Sequence, residues 1–136
     1  MHTAKMKNNL PIRAVKAVIR NKKGEILLLQ RNPQISLQDN WDLPGGLVET
    51  GENFKNALIR EVMEELNLTI NITKQAGKWH FIRFKDKQLV HVQNYHCTVN
   101  SGDIQLSEEH HDYKWVNPSD IRKYLVKDDS FYTAIN

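Results

Sequence analysis

Between Gly45 and Leu68 the chain reads GGLVETGENFKNALIREVMEELNL, and no other stretch limits the fold so tightly. Asn53 is placed to cap a helix running from Phe54 to Leu66. At roughly 100° per residue, Leu58, Ile59, Val62, Met63 and Leu66 gather on one side, with Glu61, Glu64 and Glu65 on the other and Ala57 among them. The acidic side works against the helix. Glu61 and Glu65 are one turn apart, and like charges at that spacing cost about 0.2–0.5 kcal/mol per pair. The acids also fall late in the helix, where the macrodipole disfavours negative charge. Arg60 is the one cation close by in sequence, and Ala57 leaves space over the acidic face.

The segments on either side read mostly as strands. Residues 11–20 (PIRAVKAVIR) and 25–31 (EILLLQR) form two, joined by the turn NKKG, and residues 32–40 form a polar loop. LTINI (68–72), KWHFIRF (78–84), QLVHVQNYHCTV (88–99) and YKWV (113–116) follow, with LSEEHHD (106–112) as a loop. Asn117 and Pro118 open a C-terminal helix over residues 117–127. Strands with one central and one terminal helix predict an α+β, mixed-sheet domain spanning residues 1–136.

Composition narrows the setting. A single cysteine, Cys97, excludes an internal disulfide and a cysteine-rich zinc site, and its place in an alternating run predicts a buried thiol in a reducing compartment. Neither a signal-peptide core nor a run of about 18 apolar residues occurs, so a cytoplasmic protein without a membrane segment is expected. The net charge of +3 comes from scattered basic residues, which gives a nucleic-acid partner little support.

A bound divalent cation would relieve the repulsion on the helix. Oxygen ligands without histidine or cysteine point to Mg²⁺ or Mn²⁺ rather than zinc. Gly45 and Gly46 allow backbone to approach such a site closely. ETGE (49–52) is a tight turn with Gly51 at positive φ. Glu52 is positioned to reach Arg60 in a bidentate pair, which would hold this loop on the helix.

Gly46, Glu52, Arg60, Glu61, Val62, Glu64, Glu65 and Leu68 stand at the spacing of G-x5-E-x7-R-E-U-x-E-E-x-G-U, where U is a bulky aliphatic residue. This resembles the Nudix box. Asn67 replaces the second glycine, and asparagine is the next residue best able to end a helix in the left-handed conformation. LLLQR, WDLPGG and SEEHHDYKWV are also similar to flanking segments of the family. The resemblance implies the Nudix fold, a mixed β-sheet layer sandwiched between α-helices. It also implies Mg²⁺-dependent hydrolysis of a nucleoside diphosphate linked to another moiety, in a family where homodimers are frequent.

Carried over residue by residue, the resemblance makes Glu61, Glu64 and Glu65 metal ligands, with the Gly45 carbonyl beside them. The general base is either Glu61 inside the box or one of Glu108 and Glu109 outside it, with Glu109 the better placed. Gly46 lies against the substrate, and Arg31, at a strand end, is placed to meet a phosphate. Trp79, Phe81, Phe84 and Tyr95 are the rings available to stack on a base, of which Phe81 and Tyr95 are the chosen candidates. Trp41 and Trp115 are expected to pack, and His110 and His111 to face solvent. The substrate favoured is a nucleoside triphosphate, ordinary or oxidised. ADP-ribose, dinucleoside polyphosphates and sugar nucleotides stay open. The complete set of carboxylates argues against a non-catalytic nucleotide sensor.

Overall fold

The computed structural model describes residues 11–32, 41–125 and 129–136. The greater part of the loop expected at 32–40 lies outside them. Strands β1 (Ile12–Ile19), β4 (Gly45–Leu47), β5 (Thr69–Ile82) and β6 (Leu89–Ser101) form one sheet in the order β4-β1-β6-β5. β1 runs parallel to β6 and antiparallel to β4, and β5 is antiparallel to β6. Strands β2 (Ile26–Arg31), β3 (Trp41–Asp42) and β7 (His110–Val116) form a second sheet, β3-β2-β7, with both pairings antiparallel. Helix α1 (Phe54–Leu66) lies on one side. The 3₁₀ turn Pro118–Asp120, α2 (Ile121–Tyr124) and α3 (Asp129–Ala134) complete the C-terminal part. The architecture is the expected α+β one.

β1 and β2 are apolar on both faces because each separates two cores. Val15, Ala17 and Ile19 of β1 and Leu27 and Leu29 of β2 join Ala57, Leu58, Val62 and Leu66 of α1. The residues between them, Val18, Ile26 and Leu28, join Leu43, Val116, Ile121, Leu125, Phe131 and Tyr132. Such two-sided burial is what near-continuous hydrophobic strands require. Trp115 packs against the first core and Trp41 against the second, as expected.

Several local features match the sequence reading. The Asn53 side chain accepts the Asn56 amide at 2.8 Å, and Asn67 ends α1 at φ 59°. Gly51 has φ 82°, and the Glu52 amide donates to the Glu49 carbonyl. Cys97 is buried in the first core, which pushes its thiol up to about 12.

Other elements differ. LTINI and KWHFIRF are one strand, β5, because bulges at three places let the polar residues between them stay paired to β6. WDLPGG, to which the sequence reading gave no element, forms β3 and part of β4 at its ends, and the Pro44 carbonyl between them accepts the Ala17 amide. β7 begins at His110, earlier than YKWV, because the ladder to β2 extends to Arg31. The C-terminal helix stops at Tyr124, where Leu125 turns extended, and α3 is an additional helix. α3 docks so tightly that a Cβ at Gly77 would sit 2.6 Å from the Ala134 Cα.

Phe131 anchors that docking, fully buried with its ring edge-on to Trp79 at 4.9 Å. Phe131→Ala is expected to cost about 3–5 kcal/mol in urea unfolding. A loss below 1 kcal/mol would show that α3 is not part of the cooperative core.

Candidate active site

The rotation of α1 about its axis is the central fact of the site. Its buried residues are Ala57, Leu58, Val62, Glu65 and Leu66, whereas Ile59 and Met63 are about two-fifths exposed. The apolar stripe read from the sequence is therefore displaced. Glu65 points inward in place of Met63, and Ala57 does not open space over the acids but packs in the core.

Glu65 is 8% exposed, and its Oε1 accepts the Gly45 amide at 2.8 Å. Burial pushes its carboxyl up to about 8, against the pull of Lys16 and the Gly45 hydrogen bond. Glu61 is half-buried and is also raised by burial, with Arg60 pulling the other way. It abuts Gly46 so closely that a Cβ there would lie 2.5 Å from its carboxyl carbon. Glu64, in the last turn of α1, is the exposed member.

Arg60 binds this group together. Its Nε donates to Glu52 Oε2 at 2.7 Å and its Nη2 to Glu52 Oε1 at 3.0 Å, the bidentate pair expected from the sequence. Nη2 also donates to the Leu47 carbonyl at 3.1 Å. Nη1 donates to Glu61 at 3.0 Å and to Glu64 at 3.3 Å, and lies 3.5 Å from Glu49. The pair holds the Glu52 carboxyl down to about 2.

The loop after β6 is tied to the end of the helix. The Gln105 amide donates to the Leu66 carbonyl and the Ser107 amide to the Glu65 carbonyl, satisfying two acceptors the helix leaves open. The loop then turns at Glu108 and Glu109, whose carbonyls accept from the Asn32 side chain and amide respectively. Glu109 is exposed, and its charge raises Glu65. Across the β2–β7 ladder Arg31 faces His110. His110 is not solvent-facing: its side chain is 9% exposed and its Nε2 stands 3.7 Å from Glu65 Oε2. Burial and the Arg31 charge lower its pKa.

One residue near the carboxylates was not singled out from the sequence. Lys16 of β1 donates to Asp42 Oδ2 at 3.2 Å and to the Leu43 carbonyl at 3.1 Å, and its charge acts on Glu61 and Glu65. A lone lysine in the apolar run AVKAV was the available signal. The aromatic candidates separate. Tyr95 is 4% exposed and packs in the first core, so its ring is not free to stack on a base. Phe81 is exposed, stacked on Trp79 at 5.3 Å, on β5 at the opposite edge of the sheet from β4.

Glu61, Glu64, Glu65 and Gly45 lie together, with hard oxygen atoms as the donor set that suits Mg²⁺ or Mn²⁺. Among the described residues, no three carboxylate, imidazole or thiol groups converge tightly enough to enclose an ion unaided. Mg²⁺ keeps several waters and shares its remaining positions with substrate phosphates, so such an open set fits it.

The NUDIX domain model matches residues 10–134. The chain is 30% identical to the CTP pyrophosphohydrolase of Escherichia coli (strain K12), covering 81% of this chain and 79% of that protein. It is 29% identical to a putative 8-oxo-dGTP diphosphatase of Bacillus subtilis (strain 168), covering 80% and 68%. The MutT protein of Methanosarcina mazei Go1 superposes with a TM-score of 0.77 at 35% identity, over 90% of this chain and 88% of that one. With the box in register and its carboxylates gathered beside Gly45, this chain belongs to the Nudix family and is a pyrophosphohydrolase.

Proposed function

We propose that this chain hydrolyses nucleoside triphosphates, ordinary or oxidised, with Mg²⁺ as cofactor and Mn²⁺ as a substitute. The observation that carries the reading is the inward Glu65. A helix selected for stability would bury Met63 and expose the acid, yet here the carboxylate is buried with one hydrogen bond and a strongly raised pKa. The names of two relatives, a CTP pyrophosphohydrolase and an 8-oxo-dGTP diphosphatase, support a triphosphate substrate.

Glu61, Glu64, Glu65 and the Gly45 carbonyl would hold the ion. Bound there, it would offset phosphate charge and polarise the anhydride oxygens. Glu109 takes a proton from the attacking water, the water oxygen bonds to phosphorus, and an anhydride P–O bond breaks to release pyrophosphate and a nucleoside monophosphate. Arg60, fixed by Glu52, positions Glu61 and Glu64. Gly46 keeps the approach to Glu61 open, and Arg31 meets phosphate. Phe81, about 14 Å from β4 by three strand spacings, offers its exposed ring to the base.

With Mg²⁺ and a panel of canonical and oxidised nucleoside triphosphates, ADP-ribose, dinucleoside polyphosphates and sugar nucleotides, rapid turnover is expected for a triphosphate and its loss in Glu64→Gln. Preference for another class would overturn the substrate. Tight nucleotide binding with no turnover would overturn the catalytic role of these residues. Glu109→Gln is expected to lower kcat by about 10²–10⁴-fold, with Glu108→Gln close to wild type. The reverse ranking would move the base.

Metal-free stability carries a pH signature. Glu65 titrates near 8 when folded against an ordinary value of 4.5, so the folded state holds the proton more tightly. Its contribution is fully present below about pH 4.5 and is lost as pH rises through about 8. His96 and His110, lowered by burial, give the opposite slope near and below the ordinary histidine range, so Glu65→Gln is the proper reference. In chelator, the Tm of wild type is expected to fall relative to Glu65→Gln between pH 5 and 8. Adding Mg²⁺ at pH 8 should raise Tm in wild type more than in the variant. Parallel curves would remove Glu65 from the site.

A further inference from the structure

A groove of about 330 Å³ opens beside the N-terminal end of α1, and Arg13, Phe54, Lys78, His80, His91 and Gln93 line it. Glu61 and Glu65 lie against Gly46 and Gly45 of β4, the edge strand. The groove instead sits over β1, β6 and β5, beside Phe54 at the start of α1. Phe54 precedes Glu61 by roughly 10 Å along the helix axis. None of its lining residues belongs to the carboxylate site.

Strand register explains the composition of the groove. Arg13 of β1 pairs with His91 of β6, and His91 pairs with His80 of β5. Directly paired residues project from the same face of a sheet. One cross-strand row therefore carries a guanidinium and two imidazoles, with the two rings 6.3 Å apart. The next row adds Lys78 opposite Gln93. Arg13, Lys78, His80 and His91 are all exposed, and among the described residues no Asp or Glu lines the groove. The half-buried Phe54 ring gives the same groove an apolar wall. Its volume is at the lower end of small-ligand pockets.

We propose that this groove binds a phosphomonoester of nucleotide size, a nucleoside monophosphate, independently of metal and of the carboxylate site. Arg13 and Lys78 hold the phosphate by charge-assisted hydrogen bonds, His80 and His91 add donors, and Phe54 takes the base. The proposal does not rest on the hydrolase reading.

The test uses the full chain carrying Glu64→Gln in excess chelator, titrated calorimetrically with cytidine monophosphate and separately with inorganic phosphate. Saturable binding of the nucleotide is expected, with weaker binding of phosphate. Adding Arg13→Ser and Lys78→Ser should weaken nucleotide binding by about tenfold or more, whereas Arg13→Lys, which keeps the charge, should retain it. In nuclear magnetic resonance, the imidazole signals of His80 and His91 should shift on titration while that of His110 stays. Absence of saturable binding would overturn the proposal, as would affinity unchanged by the double serine variant or shifts confined to His110. Phosphate binding as tightly as the nucleotide would overturn the assignment to a nucleotide. Turnover by the wild-type chain with Mg²⁺ is a separate assay, so failure of one reading is distinguishable from failure of the other.

Discussion

The hydrogen bond from the Gly45 amide to Glu65 fixes how α1 is turned, and the site is arranged around it. An unpaired buried carboxylate is costly, and in this setting the group responds by raising its pKa rather than by withdrawing to water. Leaving Ile59 and Met63 exposed forfeits apolar burial on the same helix. Arg60 holds the arrangement from the other side. Its guanidinium reaches the turn through Glu49 and Glu52, β4 through the Leu47 carbonyl, and the helix through Glu61 and Glu64. With so many partners fixed, α1 has little freedom to rotate towards the more apolar solution.

The remaining components reach the carboxylates through backbone hydrogen bonds rather than side-chain attraction. Loop 105–107 satisfies two of the last open carbonyls of α1, those of Glu65 and Leu66, and that contact carries Glu108, Glu109 and His110 alongside. Asn32 fastens the same turn to the end of β2, and the β2–β7 ladder sets Arg31 opposite His110. An exposed loop residue such as Glu109 is thereby held near Glu65 by a fastened main chain, while its side chain stays free to meet water.

What the sequence revealed depended on how local each feature was. The Asn53 cap, the left-handed Asn67, the turn at Gly51 and the Glu52–Arg60 pair each join residues no more than eight apart, and fixed spacing made them legible. The rotation of α1 was not, because Met63 is the better apolar residue by composition, and the groups that meet Glu65 (Gly45, Lys16 and His110) are distant in sequence. β3, two residues long, has no periodicity to read, and its place depends on β2. β5 looked like two strands because the polar residues at its bulges interrupt the alternation that a continuous ladder would show. Tyr95 read as a ligand contact because alternation marks which side a ring takes, not what covers that side; here α1 and its core do.

The carboxylate site and the groove differ in how their cations are used. Beside the carboxylates, Arg60 is shared among four acids and a carbonyl, and Lys16 is committed to Asp42 and the Leu43 carbonyl. A polyphosphate arriving there would meet acids whose counter-charges are already engaged, and a divalent ion would be the compact way to supply further positive charge. The groove over β1, β6 and β5 has the opposite balance, with basic groups exposed and no acid among its described lining. An anion there needs no metal. One sheet thus carries two environments of opposite sign, the carboxylates beside β4 and the basic groove over β1, β6 and β5.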